Sequence, residues 1–169
     1  MIAKLMSAAL ATALLMLGGC ASGPRADIAM PVPAAGDVEG QIMSVVGTDF
    51  TICGVSGMSE AGQSARYVVT VCGNPDPARS TLEARFPGQC TVVGYQPGDG
   101  GGHTPKQLVV QWWINHAAGP GWKVTSTEIT DDGLISVGVD GDLIAATAAL
   151  DRDFPGWTRV HSQAGQQNL

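Results

Sequence analysis

The residues of this 169-residue chain that could do chemistry are few and scattered. There are four cysteines (Cys20, Cys53, Cys72, Cys90), three histidines (His103, His116, His161), two acidic turns and one adjacent tryptophan pair (Trp112, Trp113). Cys53, Cys72 and Cys90 lie far apart along the chain, unlike the close ligand pairs of a zinc site. The histidines show no metal-binding spacing. Asp131-Asp132-Gly133 and Asp140-Gly141-Asp142 lack the regular ligand spacing and distal Glu of a calcium loop, and turn chemistry accounts for both. Gly98-Asp99-Gly100-Gly101-Gly102 lacks the Gly-Lys-Ser/Thr ending of a phosphate loop, and Gly54-Val55-Ser56-Gly57 misses the nucleophile-elbow pattern. Glycine-rich turns account for both. No catalytic residue, metal ligand or cofactor is expected from these patterns.

Cys20 stands apart because of what precedes it. Lys4 supplies a positive start, and Leu5 through Leu17 is an uncharged run rich in Ala, Leu and Met. As a helix that run is roughly 20 Å long, short of a ~30 Å hydrocarbon core, so a secretory signal is expected rather than a span. The run ends in Leu17-Gly18-Gly19-Cys20, which resembles the lipobox of bacterial lipoproteins. The resemblance ends at Cys20 and implies cleavage before it and a diacylglycerol on its thiol. Leu17 suits an apolar subsite, and the two glycines let the backbone enter a peptidase extended. Palmitate-length chains buried at ~0.8 kcal/mol per methylene make release slow. Ala21 carries no Asp-type retention signal. The resemblance therefore implies a lipid-anchored envelope protein, on the outer membrane facing the periplasm if the host has one, otherwise on the outer face of the cell membrane.

Residues 20–37, with three prolines and many small residues, are expected to be a flexible tether. The chain carries 9 Lys plus Arg against 15 Asp plus Glu, a net charge of −6. That sign repels phosphate backbones, so nucleic acid is not an expected partner. There is no polybasic patch, and the membrane is reached through the lipid.

The elements that must position everything else come from an internal repeat. At one constant offset, Val69, Val71, Gly73, Ala78, Leu82, Phe86, Pro87, Gly88 and Val92 match Val137, Val139, Gly141, Ala146, Leu150, Phe154, Pro155, Gly156 and Val160. Chance would give roughly two such identities at average composition. Each copy reads as a β-branched strand, a turn, a helix stopped by Phe-Pro-Gly, and a further strand. Upstream, 49–53 and 121–125 look like hairpin strands, and 38–46 and 104–116 like helices. The expected fold class is α+β: a tandem duplication of an α-β-β-α-β unit over 38–97 and 105–165. A Gly-rich linker fills 98–104 and a tail fills 166–169. One such unit alone is marginal in size, so the two are expected to pack together. One mixed six-stranded sheet with helices on one face is the favoured arrangement, and two separate lobes are the alternative.

An oxidising compartment and three remaining cysteines allow one intramolecular disulfide. If Cys53 ends its strand and Cys90 begins another, the two share one end of the sheet, so Cys53–Cys90 is expected first and Cys53–Cys72 next. Trp112 and Trp113 point about 100° apart on a helix. Both can be buried only if that helix is sandwiched. Otherwise one ring is free for a partner surface. Taken together, the expectation is a non-catalytic binding or structural module with a protein or cell-wall partner. An inhibitor or folding assistant of an exported protease, and a hydrolase with an unfamiliar site, are the alternatives.

Overall fold

The structure is a computed structural model, and it describes residues 25, 27–58, 66–96 and 102–163. The fold is α+β. Helix α1 (Val38–Met43) leads into strands β1 (Phe50–Met58) and β2 (Arg66–Gly73), helix α2 (Pro75–Arg85) and strand β3 (Cys90–Gly94). The second half runs α3 (Pro105–Asn115), β4 (Ala118–Gly119), β5 (Trp122–Ile129), β6 (Ile135–Gly141), α4 (Leu143–Asp153) and β7 (Thr158–Ser162).

The expected single six-stranded sheet is corrected. The strands form two sheets, one of order β1-β2-β3 and one of order β4-β5-β6-β7. Both are mixed: β1–β2 and β5–β6 are antiparallel, whereas β2–β3 and β6–β7 are parallel across a helix. The reason lies in α3. Its Val110, Trp112, Trp113 and Ile114 are all buried, a wider apolar surface than one sheet can cover. Helix α3 packs against both β1 and β5, so it lies between the sheets, where edge-to-edge pairing would leave one side of it in water.

Each sheet turns one face inward. Ile52, Val55, Val69 and Val71 from the first, and Ile129, Ile135, Val137 and Val139 from the second, join one cluster with Leu82 and Leu150. On the opposite faces the register aligns Ser56 with Val68 and Thr70 with Val93 in the first sheet. In the second it aligns Lys123 with Asp140 and Glu128 with Ser136. Polar, small and β-branched residues therefore meet water there.

The turns at the helix ends follow the sequence closely. Asn74 and Asp142 cap α2 and α4 through their side chains, accepting from Asp76 N and from Ile144 N and Ala145 N. Just before each cap is a glycine at positive φ, Gly73 at 100° and Gly141 at 99°. A β-carbon at Gly73 would lie 2.7 Å from the Asp49 carbonyl oxygen, and one at Gly141 would lie closer still to that of Gly121. The close approach is used: Asn74 N and Asp142 N donate to those same carbonyls at 3.1 and 2.9 Å. Phe86 and Phe154 end the two helices by donating back to Leu82 and Leu150 at 2.7 and 2.8 Å. Thr104 and Gln107 form a reciprocal capping box at the start of α3.

Candidate functional site

The expected lipidation residue, Cys20, lies outside the described residues, as does most of the Gly-rich linker. The other cysteines are placed. Cys53 is bonded to Cys72, with Cα atoms 5.9 Å apart, and Cys90 is free and half-buried. This corrects the first expectation of a Cys53–Cys90 bridge. Strand β1 runs on to Met58, so Cys53 lies near its beginning, at a bulge between Ile52 and Gly54 and close to Cys72. Cys90 pairs with Tyr67 on the far side of the central strand β2. Cys53 and Cys90 are therefore at least two strand spacings apart, about 10 Å, which no disulfide bridges. The second sheet has a corresponding bulge between Val124 and Ser126, where Thr125 Oγ1 donates to the Gly138 carbonyl at 3.0 Å.

Cys90 borders a shallow cavity of about 370 Å³ with Arg79, Glu83 and Val92. Burial, and then the nearby Glu83 carboxylate, push its thiol above the usual cysteine range. The thiolate is the reactive form, so this cysteine is a poor nucleophile.

Trp112 and Trp113 are both buried, at 9 % and 7 % exposure, with their rings edge-to-face at 5.0 Å. Neither ring presents a partner surface. Trp112 Nε1 donates to the Val55 carbonyl at 2.9 Å, and the His116 ring stacks on Trp112 at 4.1 Å. His116 Nδ1 lies 2.8 Å from the Trp112 carbonyl, an acceptor, which assigns the proton to Nδ1. Its Nε2 faces Glu39 of α1 at 3.5 Å. This cluster holds α1, β1 and α3 together.

The other histidines and the acidic turns do not converge. His161 Nδ1 lies 3.4 Å from Ser136 Oγ on the open outer face of the second sheet. Asp132 accepts from the Thr130 hydroxyl, from Leu134 N and from Arg159, and those bonds, Thr130's foremost, hold its carboxyl below the usual range. Asp142 caps its helix, and Asp140 faces Lys123. Among the described residues no three His, Cys, Asp or Glu side chains are grouped to hold a metal ion. Ser56 lies within β1, not on a strand-to-helix turn.

The surface with most to offer is not apparent from the sequence. Residues 27–34, expected as tether, lie along the domain as a strap. Asp27 pairs with Lys106 at the start of α3, and Lys106's hydrogen bond and charge hold its carboxyl below the usual range. Ile28 packs against the core. Arg25 donates to the Asp132 carbonyl at 2.7 Å. Its guanidinium lies 4.9 Å from the Trp157 ring centroid, and Lys106 Nζ lies 5.6 Å from the same ring. Beside the strap is an apolar groove of about 410 Å³, floored by Met43, Phe50, Ile52 and Val109, with Met30, Val46 and Lys106 at its mouth. Such a groove can take an alkyl or aromatic group while a cation stays at its rim. One signal is present in the sequence: at the offset that aligns Val69 with Val137, Trp157 stands opposite Gln89.

No protein-family model matches the chain, and no curated protein matches it in sequence.

Proposed function

We propose that the chain is a lipid-anchored protein of the bacterial envelope whose folded domain is a non-catalytic binding or structural module. The observation that carries this is Leu17-Gly18-Gly19-Cys20 at the end of a charge-free apolar run, the pattern on which lipoprotein processing acts. None of the helices among the described residues is long and apolar enough to cross a membrane. The anchor in this reading is the lipid on Cys20, which puts the domain on the outer membrane facing the periplasm or on the outer face of a single membrane.

The domain is also read as two copies of one unit fused in tandem. The nine identities at a constant offset support this, as do the matching glycine, cap and Phe-Pro-Gly turns. Duplication gives each unit a partner against which to bury its inner face. It leaves two polar outer sheet faces for a protein or cell-wall partner. The bridge between Cys53 and Cys72 fits an oxidising compartment.

The deciding experiment is mass spectrometry of the mature protein. A product beginning at a diacylglyceryl-modified Cys20, lost in Cys20→Ser, is expected. A mature chain with an unmodified N-terminus downstream of Cys20 would refute the anchor.

A further inference from the structure

We propose that the face around the strap and the Met30–Val46 groove is where the domain rests on the bilayer, with Val32, Val46 and Met30 entering the headgroup–acyl boundary. This rests on lipidation at Cys20.

Chain length limits where the membrane can be. Five peptide steps separate Cys20 from Arg25, at most about 18 Å fully extended. Arg25 is fixed to the domain by the Asp132 carbonyl and by the Trp157 ring. A folded chain of this size has a radius of gyration of about 14 Å, hence a width roughly twice the leash. A lipid on Cys20 thus keeps the Arg25–Trp157–Lys106 corner nearest the bilayer.

Among the described residues, three of the six large exposed apolar side chains lie on the strap or at the groove beside it, the others being Met58 and Val93 of the first sheet and Ile144 of α4. Met30 is 38 % exposed, Val32 92 % and Val46 88 %. Met30 and Val46 border one groove with Lys106, which itself touches both Asp27 of the strap and the Trp157 ring. The surface is therefore continuous from the leash to the groove. Ile144, 84 % exposed, starts α4, whose other end (Arg152, Asp153) borders the strap. The helix between, roughly 12 Å long, holds Ile144 away from it.

The occupant is lipid rather than a protein because the leash alone delivers this face to the membrane. Charge adds little: Lys106 is already paired with Asp27, and Arg25 is already hydrogen-bonded. Apolar side chains entering the interface by roughly 5–10 Å, with cations at headgroup level, is the arrangement of interfacial segments. Affinity for lipid without the leash is accordingly expected to be weak.

The test uses the full lipidated chain in a Cys90→Ser background, carrying Val46→Cys or Ile144→Cys. Both sites are exposed, so an environment-sensitive fluorophore at either leaves the core intact. The protein is reconstituted into vesicles of phosphatidylethanolamine and phosphatidylglycerol with a nitroxide-bearing lipid. The label at position 46 should be quenched several-fold more than the label at position 144, and Val32→Cys should behave like position 46. Adding Met30→Asp and Val46→Asp should lower quenching at position 32 toward that at position 144, because the leash then holds the face near the bilayer without insertion. Quenching at position 144 equal to or above that at position 46, with the acylated N-terminus verified by mass spectrometry, overturns the proposal and leaves the lipid anchor standing. A product without acyl chains overturns both.

Discussion

Trp112 Nε1 donates to the main-chain carbonyl of Val55 at 2.9 Å, so a helix of the second half is hydrogen-bonded to a strand of the first. The bond is buried, and Val55 is 5 % exposed. Trp112→Phe removes that bond and should cost about 1 kcal/mol in urea unfolding, beyond the packing loss. Trp113→Phe keeps the bond and should cost less. Equal losses would show that the bond does not hold the halves together.

The disulfide closes a loop with a sequence separation of 19. In the chain-entropy model its removal destabilises by about 3 kcal/mol. A non-reducing peptide map should join Cys53 to Cys72, and Cys90→Ser should leave that map unchanged. Recovery of a Cys53–Cys90 peptide would contradict the register of the first sheet.

The positive-φ glycines separate two effects. Gly73→Ala and Gly141→Ala meet both an unfavourable backbone and a carbonyl oxygen within 2.7 Å, so each should lose about 2 kcal/mol or more. Gly88 and Gly156 have φ of 67° and 74°, and nothing lies within 4 Å of where a β-carbon would stand. Alanine there should cost about 1 kcal/mol, the backbone contribution alone. Thermal unfolding of the four variants compares them directly.

Acid should release the strap before it unfolds the domain. The Asp27 carboxyl is held below the ordinary aspartate value, about 4, by Lys106. A depressed folded value means that the contribution is complete above about pH 4 and is lost as pH falls through the folded value. Below that point the strap should loosen. Its amides and the indole resonance of Trp157 should shift together in NMR spectra, and Asp27→Asn should give the same shifts at neutral pH. A strap unaffected by either would show that Ile28 and Arg25 hold it alone.

Cys90 should alkylate slowly near neutral pH, because burial and Glu83 both disfavour its thiolate. Glu83→Gln removes one of the two causes and should raise the alkylation rate at a fixed pH, with the pH–rate profile moving toward lower pH. An unchanged profile would leave burial as the whole cause.

Local chemistry is legible because it is written in neighbouring residues. The Phe-Pro-Gly stops, the Asp142 cap and the two strand–turn–helix–strand paths follow from rules that act within a few positions. The extent of β1 does not follow so directly. Gly54, Ser56 and Gly57 look like a turn, and they continue the strand because β2 pairs with them. Ending the strand at Cys53 puts that residue beside the wrong cysteine. The strap looks like free tether for a similar reason: prolines and small residues carry no period, and its partners Lys106, Asp132 and Trp157 all belong to the second half of the chain.

The sequence by itself determined the α+β class, the order of the four helices and of every strand but the two-residue β4, and the closing turns, since each depends on residue type and short spacing. The tertiary structure alone decided that the strands divide into two sheets around α3, that Cys72 rather than Cys90 meets Cys53, that Trp112 and Trp113 are both buried, and that the strap pairs with Lys106 of the second half. Those outcomes depend on which surfaces cover one another. Burial is a property of the assembled chain, so no local window of residues contains it.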